Sequence, residues 1–340
     1  MGFFWGCSCC GPDYWVYTKD ELRRYTWGQV TPSVNVDNTF DWSAEISRRQ
    51  MIADGTHLWI TGPKSSQCTM LKFDADGAIV DTVNFGAFVI LNGFARGPDG
   101  NFVSAGVFST PTERVRAFDS SGTRLWGWES SFPSGTGFTC DMDADGNSLV
   151  VTTTFERVVK LDSGGTKLWD SNTTDISGVS ATGFNCGRFD LDGNVVLGES
   201  SPVANCKLAK FDEDGNHLWT VAAATTRMAI QYITILPDNR IAIIGIDRTA
   251  AAPGGSRFAV YDEDGNELHN AFRAGEFDNM IACNAEGRFI LGGTELPTPL
   301  NGVLGILEDD YLTSGGFPEF PDDTIGGALF VTGLITAYGP

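Results

Sequence analysis

Three features of the 340-residue sequence have residue types and spacings that could carry chemistry. The first is Asp141-Met-Asp-Ala-Asp-Gly-Asn147, in which Asp141, Asp143 and Asp145 alternate as they do in loops that wrap oxygen atoms around calcium. A complete calcium hand would place a carboxylate at the twelfth position, where Thr152 stands, and Leu149 occupies the ninth. The competing reading is a hairpin turn, since Asp190-Leu-Asp-Gly and Asp212-Glu-Asp-Gly repeat the pattern elsewhere. The second is Cys7-Ser-Cys-Cys10 behind Phe3, Phe4 and Trp5. Three thiols lack the fourth ligand of a closed tetrahedral metal shell unless a partner chain or a distant Cys supplies it; Phe3, Phe4, Trp5, Cys7, Cys9 and Cys10 are read as an adhesive interaction arm, the alternatives being a disordered or locally folded tail and a metal or redox site. The third is the set of histidines, His57, His217 and His269, which fall on different predicted hairpins and form no ligand cluster. No nucleophile elbow, phosphate loop or dinucleotide fingerprint occurs, and no carboxylate pair stands out for glycoside hydrolysis.

These residues must be positioned by a repeat. One segment recurs as Leu71-Lys-Phe-Asp-Ala-Asp-Gly77, Ala117-Phe-Asp-Ser-Ser-Gly-Thr-Arg-Leu-Trp126, Lys160-Leu-Asp-Ser-Gly-Gly-Thr-Lys-Leu-Trp169, Lys210-Phe-Asp-Glu-Asp-Gly-Asn-His-Leu-Trp219 and Val260-Tyr-Asp-Glu-Asp-Gly-Asn-Glu-Leu-His269. Each copy is a β-hairpin: Asp caps the turn backbone and Gly takes the positive φ. A second motif, beginning at residues 55, 100, 146, 193, 239 and 287, gives intervals of 45 to 48. Each period of about 46 residues therefore holds four short strands, the content of one propeller blade.

The expected fold is all-β, a seven-bladed β-propeller of four-stranded blades. Extending the period past Gly287 reaches Gly333-Leu-Ile-Thr-Ala-Tyr-Gly339, an inner hairpin without an outer one. Val16 to Tyr25 aligns with the outer hairpin Val260 to His269. The expectation is that N- and C-terminal strands close the last blade together, with residues 1–13 an arm and 14–340 the propeller. Trp126, Trp169 and Trp219, each seven residues after the shared Asp, are expected to pack between adjacent blades.

Segments such as Lys210 to Thr220 resemble the repeats of the quinoprotein-like propeller superfamily, of the type Asp-x-x-Gly-x-x-x-Trp. In its dehydrogenases the resemblance implies pyrroloquinoline quinone, a Ca²⁺ ion and a paired-cysteine disulfide. This chain is shorter, and its adjacent cysteines Cys9-Cys10 lie outside the repeats, so the resemblance supports the fold without the dehydrogenase site.

Charge bounds the partners. Lys and Arg number 23 against 43 Asp and Glu, a net charge of −20, which repels phosphate backbones and excludes nucleic acid as the expected partner. No apolar run is long enough to span a bilayer as a helix. The start lacks a basic region before its short apolar stretch, so synthesis in the cytoplasm without a secretory signal peptide is expected. The functional expectation is a non-enzymatic structural or protein-interaction module binding the protein subunits of a larger assembly, a virion or phage tail being one form. The alternatives are a quinoprotein-like or carbohydrate-active enzyme and a lectin-like surface binder. No cofactor is expected, apart from calcium at the three aspartates.

Overall fold

The computed structural model describes 27 β-strands, the turns at 74–78, 97–101, 119–123, 143–147, 162–166, 190–194, 212–216, 236–240 and 262–266, and residues 57, 183, 206 and 223. The first sheet holds β1 (Gly2–Trp5), β2 (Asp13–Tyr17), β3 (Glu21–Thr26) and β4 (Val34–Asp37) in sequence order. A seven-stranded sheet follows: β5 (Gln50–Ala53), β6 (Leu58–Lys64), β7 (Gln67–Phe73), β8 (Ile79–Arg96), β9 (Phe102–Phe108), β10 (Glu113–Phe118) and β11 (Arg124–Glu129). Then come β12 (Phe138–Met142) to β15 (Lys167–Asn172), with β13 (Ser148–Thr152) and β14 (Arg157–Leu161) between them. The next sheet is β16 (Phe184–Phe189), β17 (Val195–Glu199), β18 (Lys207–Phe211) and β19 (His217–Ala222). Two more follow: β20 (Met228–Ile235), β21 (Ile241–Asp247), β22 (Gly255–Tyr261) and β23 (Glu267–Ala274), then β24 (Glu276–Cys283), β25 (Phe289–Glu295), β26 (Asn301–Leu307) and β27 (Ile325–Gly326). Neighbouring strands pair antiparallel, as short hairpin connections dictate.

The seven-stranded sheet is two four-stranded units fused through β8. Residues 79–87 of that strand pair with β7, and residues 88–96 pair with β9. Elsewhere a connection separates the fourth strand of one unit from the first of the next; here the backbone runs through.

Hydrophobic layers join neighbouring units. Ile52, Trp59, Met70 and Val83 of β5–β8 meet Phe94, Phe102 and Phe118. Ala95, Val103, Ala105 and Val115 meet Cys140, Met142, Val150, Val159 and Leu161. Leu149, Val151 and Val158 meet Phe184, Phe189, Val195, Leu197 and Phe211. Cys186, Val196, Cys206 and Leu208 meet Ile230, Ile233, Ile241, Ile243 and Tyr261. The middle strands β13 and β17 are buried along their whole length, because both faces of each sheet are covered by a neighbour. First strands also touch: β1 with β5, β5 with β8, β8 with β12, β12 with β16, β16 with β20, β20 with β24, and β24 with β1.

The terminal strands depart from the sequence expectation. The hairpin β2–β3, which was to complete a blade begun by residues 328–339, has both edges occupied by its own neighbours. β1 pairs with β2 through Gly2↔Tyr17 to Trp5↔Tyr14, and β4 pairs with β3 through Glu21↔Asp37 to Arg24↔Val34. The segment set apart as an arm at 1–13 thus contributes a strand, and β4 forms the other edge of this sheet. Four residues without the Asp-Gly punctuation of the repeats leave little periodic signal, which is why both strands escape a reading by period. Residues 327–340 lie outside the described residues.

Candidate functional site

The Asp-turns show first where the acidic signature goes. Asp143 N donates to Asn147 O at 3.0 Å, and Gly146 N donates to Asp143 O at 3.1 Å. The Asp143 carboxylate folds back on the same turn: Oδ1 accepts from Asp145 N at 3.0 Å and from Asn147 N at 2.8 Å, and Oδ2 accepts from Asn147 Nδ2 at 2.9 Å. The same set recurs at Asp190, Asp212 and Asp262. Positive φ falls on Gly146, Gly193, Gly215 and Gly265. Asp141 is directed elsewhere, its Oδ2 accepting from Phe189 N of the next unit at 2.9 Å. Asp141, Asp143 and Asp145 therefore do not converge, and among the described residues no group of three or more His, Cys, Asp or Glu is arranged to hold a metal ion. Of the alternating aspartates, Asp143 caps its own turn and Asp141 bonds the next unit.

Hydrogen bonds to the carboxylates hold Asp119, Asp212 and Asp262 below the usual range. Ser121 Oγ leads at Asp119, and the Asn216 side-chain amide at Asp212. At Asp262 burial opposes the shift, and the bonds from Asn266 override it.

The expected Trp packing is present, with a geometry that the sequence does not supply. Each ring covers the Gly turn of the following unit. A Cβ on Gly165 would stand 2.6 Å from Trp126, one on Gly215 2.7 Å from Trp169, and one on Gly265 3.1 Å from Trp219. Each indole N–H donates to a carbonyl of that turn: Trp126 Nε1 to Ser163 O at 2.7 Å, Trp169 Nε1 to Glu213 O at 2.8 Å, and Trp219 Nε1 to Glu263 O at 3.1 Å. Glycine is required there twice over, for φ near +85° and for the space the indole takes.

Two buried lysines complete these seams. Lys210 Nζ lies 2.9 Å from Asp190 Oδ2 in its own unit and donates to Glu263 O of the next at 3.2 Å. Lys160 repeats this less tightly, 3.6 Å from Asp143 and 3.3 Å from Glu213 O. One carbonyl therefore receives both Lys and Trp. A further link runs between turns: Asn239, at φ 66°, accepts from Leu191 N at 3.0 Å and donates to Asp192 Oδ2 at 2.8 Å. Asparagine is among the side chains that tolerate this left-handed conformation.

His57 is half-buried, His217 is exposed, and His269 is buried against Phe258. Burial lowers the His269 pKa, favouring neutral imidazole. Cys140, Cys186 and Cys206 are buried free thiols. Burial pushes Cys186 up to about 12 and Cys140 higher still, so neither supplies a thiolate nucleophile at neutral pH. Phe3, Phe4 and Trp5 lie in β1, whereas Cys7, Cys9 and Cys10 lie outside the described residues.

What sequence reasoning missed is on the other face of the Trp strands. The residue before each Trp position is Val80, Leu125, Leu168, Leu218 or Leu268, on the outermost strands of five successive units, and all are 46–52% exposed. The signal that could have placed them is strand alternation, since a neighbour of an inward Trp points outward.

Four-stranded antiparallel units with Asp-turn, Gly and Trp in register define a β-propeller of the PQQ-repeat-like class. The family model described as outer membrane protein assembly factor BamB matches residues 111–282, just over half of the 340, and the chain belongs to that family. A comparison with curated proteins gave no match. Solved structures share the fold at low identity. "Structure of U3-55K" is 11% identical with a TM-score of 0.62, covering 83% of this chain and 85% of that one. A streptogramin B lyase structure is 11% identical with a TM-score of 0.61, covering 85% and 89%. "Structure of Dos1 propeller" is 12% identical with a TM-score of 0.57, covering 91% and 77%.

Proposed function

We propose that the chain is a non-enzymatic, seven-bladed β-propeller serving as a protein-interaction module in a larger assembly. The blade count is supported by the circuit of first-strand contacts, β1 to β5, β8, β12, β16, β20, β24 and back to β1. In this reading the N-terminal sheet is a blade of its own and β8 belongs to two. The observation that carries the interaction role is the row of exposed aliphatic side chains, Val80, Leu125, Leu168, Leu218 and Leu268, repeated on successive outermost strands. Their recurrence at one position of successive repeats, rather than at scattered positions, is what assigns them to a partner. With a net charge of −20, a basic or neutral partner suits it better than a nucleic acid or a second copy. The description of the family as an outer membrane protein assembly factor favours an envelope-assembly complex over a virion or phage tail.

The test is the double variant Leu168→Glu/Leu218→Glu, with its melting temperature measured alongside its co-purification with the assembly from source cells. Retained melting with lost association supports the proposal. Retained melting with undiminished association refutes it.

A further inference from the structure

Arg188, near the end of β16, is a buried cation with few protein partners. Its side chain is 7% exposed, and the Asp141 side chain beside it is fully buried. Nη1 lies 3.5 Å from Gly187 O and 4.0 Å from Asp141 Oδ1, and Nε, hidden from solvent, has no acceptor. Asp141 is held away from a closer pairing, because its other oxygen is bonded to Phe189 N at 2.9 Å. A guanidinium carries five N–H donors in a planar fork. Leaving the Nε–H donor unmatched in the interior is unfavourable unless another acceptor arrives.

The surroundings place that fork among three first strands. Asp141 pairs with Leu149, Arg188 with Val196 and Thr234 with Ala242, the same step in each unit, so β12, β16 and β20 present the three side chains at one level. Cys140, Cys186 and Tyr232, one from each strand, all feel the Arg188 charge. Bulges at Phe184/Cys186 and Ile230/Tyr232 break the register of two of these strands close by, the kind of irregularity that re-aims side chains at sites.

We propose that Arg188 anchors a site for a small oxyanion, a carboxylate or phosphate group, where β12, β16 and β20 meet. The fork matches either anion in two parallel hydrogen bonds, and Asp141 keeps the cation oriented without consuming its donors.

The test is titration of the full chain with inorganic phosphate and, separately, with acetate, in chloride buffer at constant ionic strength, followed by calorimetry and melting temperature. The expected result is saturable binding of at least one anion, weakened about tenfold or more in Arg188→Gln and less in Arg188→Lys, which keeps charge but loses the fork. A response to phosphate alone assigns a phosphate site, and one to acetate alone a carboxylate site. Absence of saturable binding by both, or equal affinity in Arg188→Gln, overturns the proposal. Should that variant fail to fold, the guanidinium Nε–H resonance of the unmodified chain decides. It should shift on saturation with the anion, and an unmoved resonance overturns the proposal.

Discussion

Replacing Trp169 by alanine tests the seam geometry quantitatively. The indole is half-buried and its N–H donates to Glu213 O at 2.8 Å. A fully buried Trp hides roughly 200 Å²; half of that, about 100 Å² at about 25 cal/mol per Å², is worth about 2.5 kcal/mol. The hydrogen bond adds about 1 kcal/mol. Trp169→Ala should therefore cost about 3.5 kcal/mol, and Trp169→Phe, which keeps a ring without the donor, about 1–2 kcal/mol. The partner position supplies a control. Gly215→Ala forces a Cβ to 2.7 Å from the indole at φ +85°, so it should be costly in the normal background and less so once Trp169 is alanine. Urea melts of the four corners of this cycle give the coupling, expected to be at least about 1 kcal/mol. A cost below about 1 kcal/mol for Trp169→Ala, or additivity across the cycle, would refute stacking of Trp169 on that turn.

Other perturbations reach other parts of the seams. Lys210→Ala strands the buried Asp190 carboxylate and should cost about 3–5 kcal/mol in denaturant melts, more than Lys160→Ala, whose ion pair is longer at 3.6 Å. Asn239→Ala keeps the left-handed φ and loses both inter-turn bonds, for about 2 kcal/mol; Asn239→Gly relieves the backbone and should cost less in the same melts. Because the folded pKa of His269 is depressed, its contribution is complete above the unfolded value of about 6.5 and is lost as pH falls from there toward the folded value. Melting temperatures between pH 7.5 and 5 should fall less in His269→Phe than in the unmodified chain. Asp212 and Asp262 are also depressed, so their stabilisation is present above the unfolded carboxylate range near pH 4 and is lost as pH falls through their folded pKa values. Asp212→Asn/Asp262→Asn should flatten the acid limb of the pH–stability curve.

The repeat was legible because turn chemistry writes itself into sequence. Asp carboxylates that bond the backbone two and four residues on, and Gly at φ near +85°, cannot be exchanged freely, so hairpins at 74–77, 119–122, 162–165, 212–215 and 262–265 announce themselves. At Asp141-Met-Asp-Ala-Asp the same residue types serve turn capping by Asp143 and an inter-unit bond by Asp141, roles that the sequence pattern alone does not separate from a calcium ligand set. Strand pairing at the chain start was hidden for the opposite reason. Gly2–Trp5 and Val34–Asp37 are four-residue strands whose sequences carry no Asp-Gly punctuation, and their partners show only in the sheet pairing. Nor does a lysine at a strand position reveal that it is buried; Lys160 and Lys210 are, because an Asp of their own unit and a carbonyl of the next both await the ammonium. The Arg188 environment is equally invisible in one dimension, since Asp141, Arg188 and Thr234 come to one level only through sheet register.

The interaction role is tested most directly by site-specific photo-crosslinking in source cells, with the photoreactive residue placed at Leu168 or Leu218 on the outermost strands, or at Asp145 on a turn. The account predicts a discrete protein adduct from the two leucine positions and none from Asp145. Adducts confined to the turn position, or none from either leucine, would contradict it.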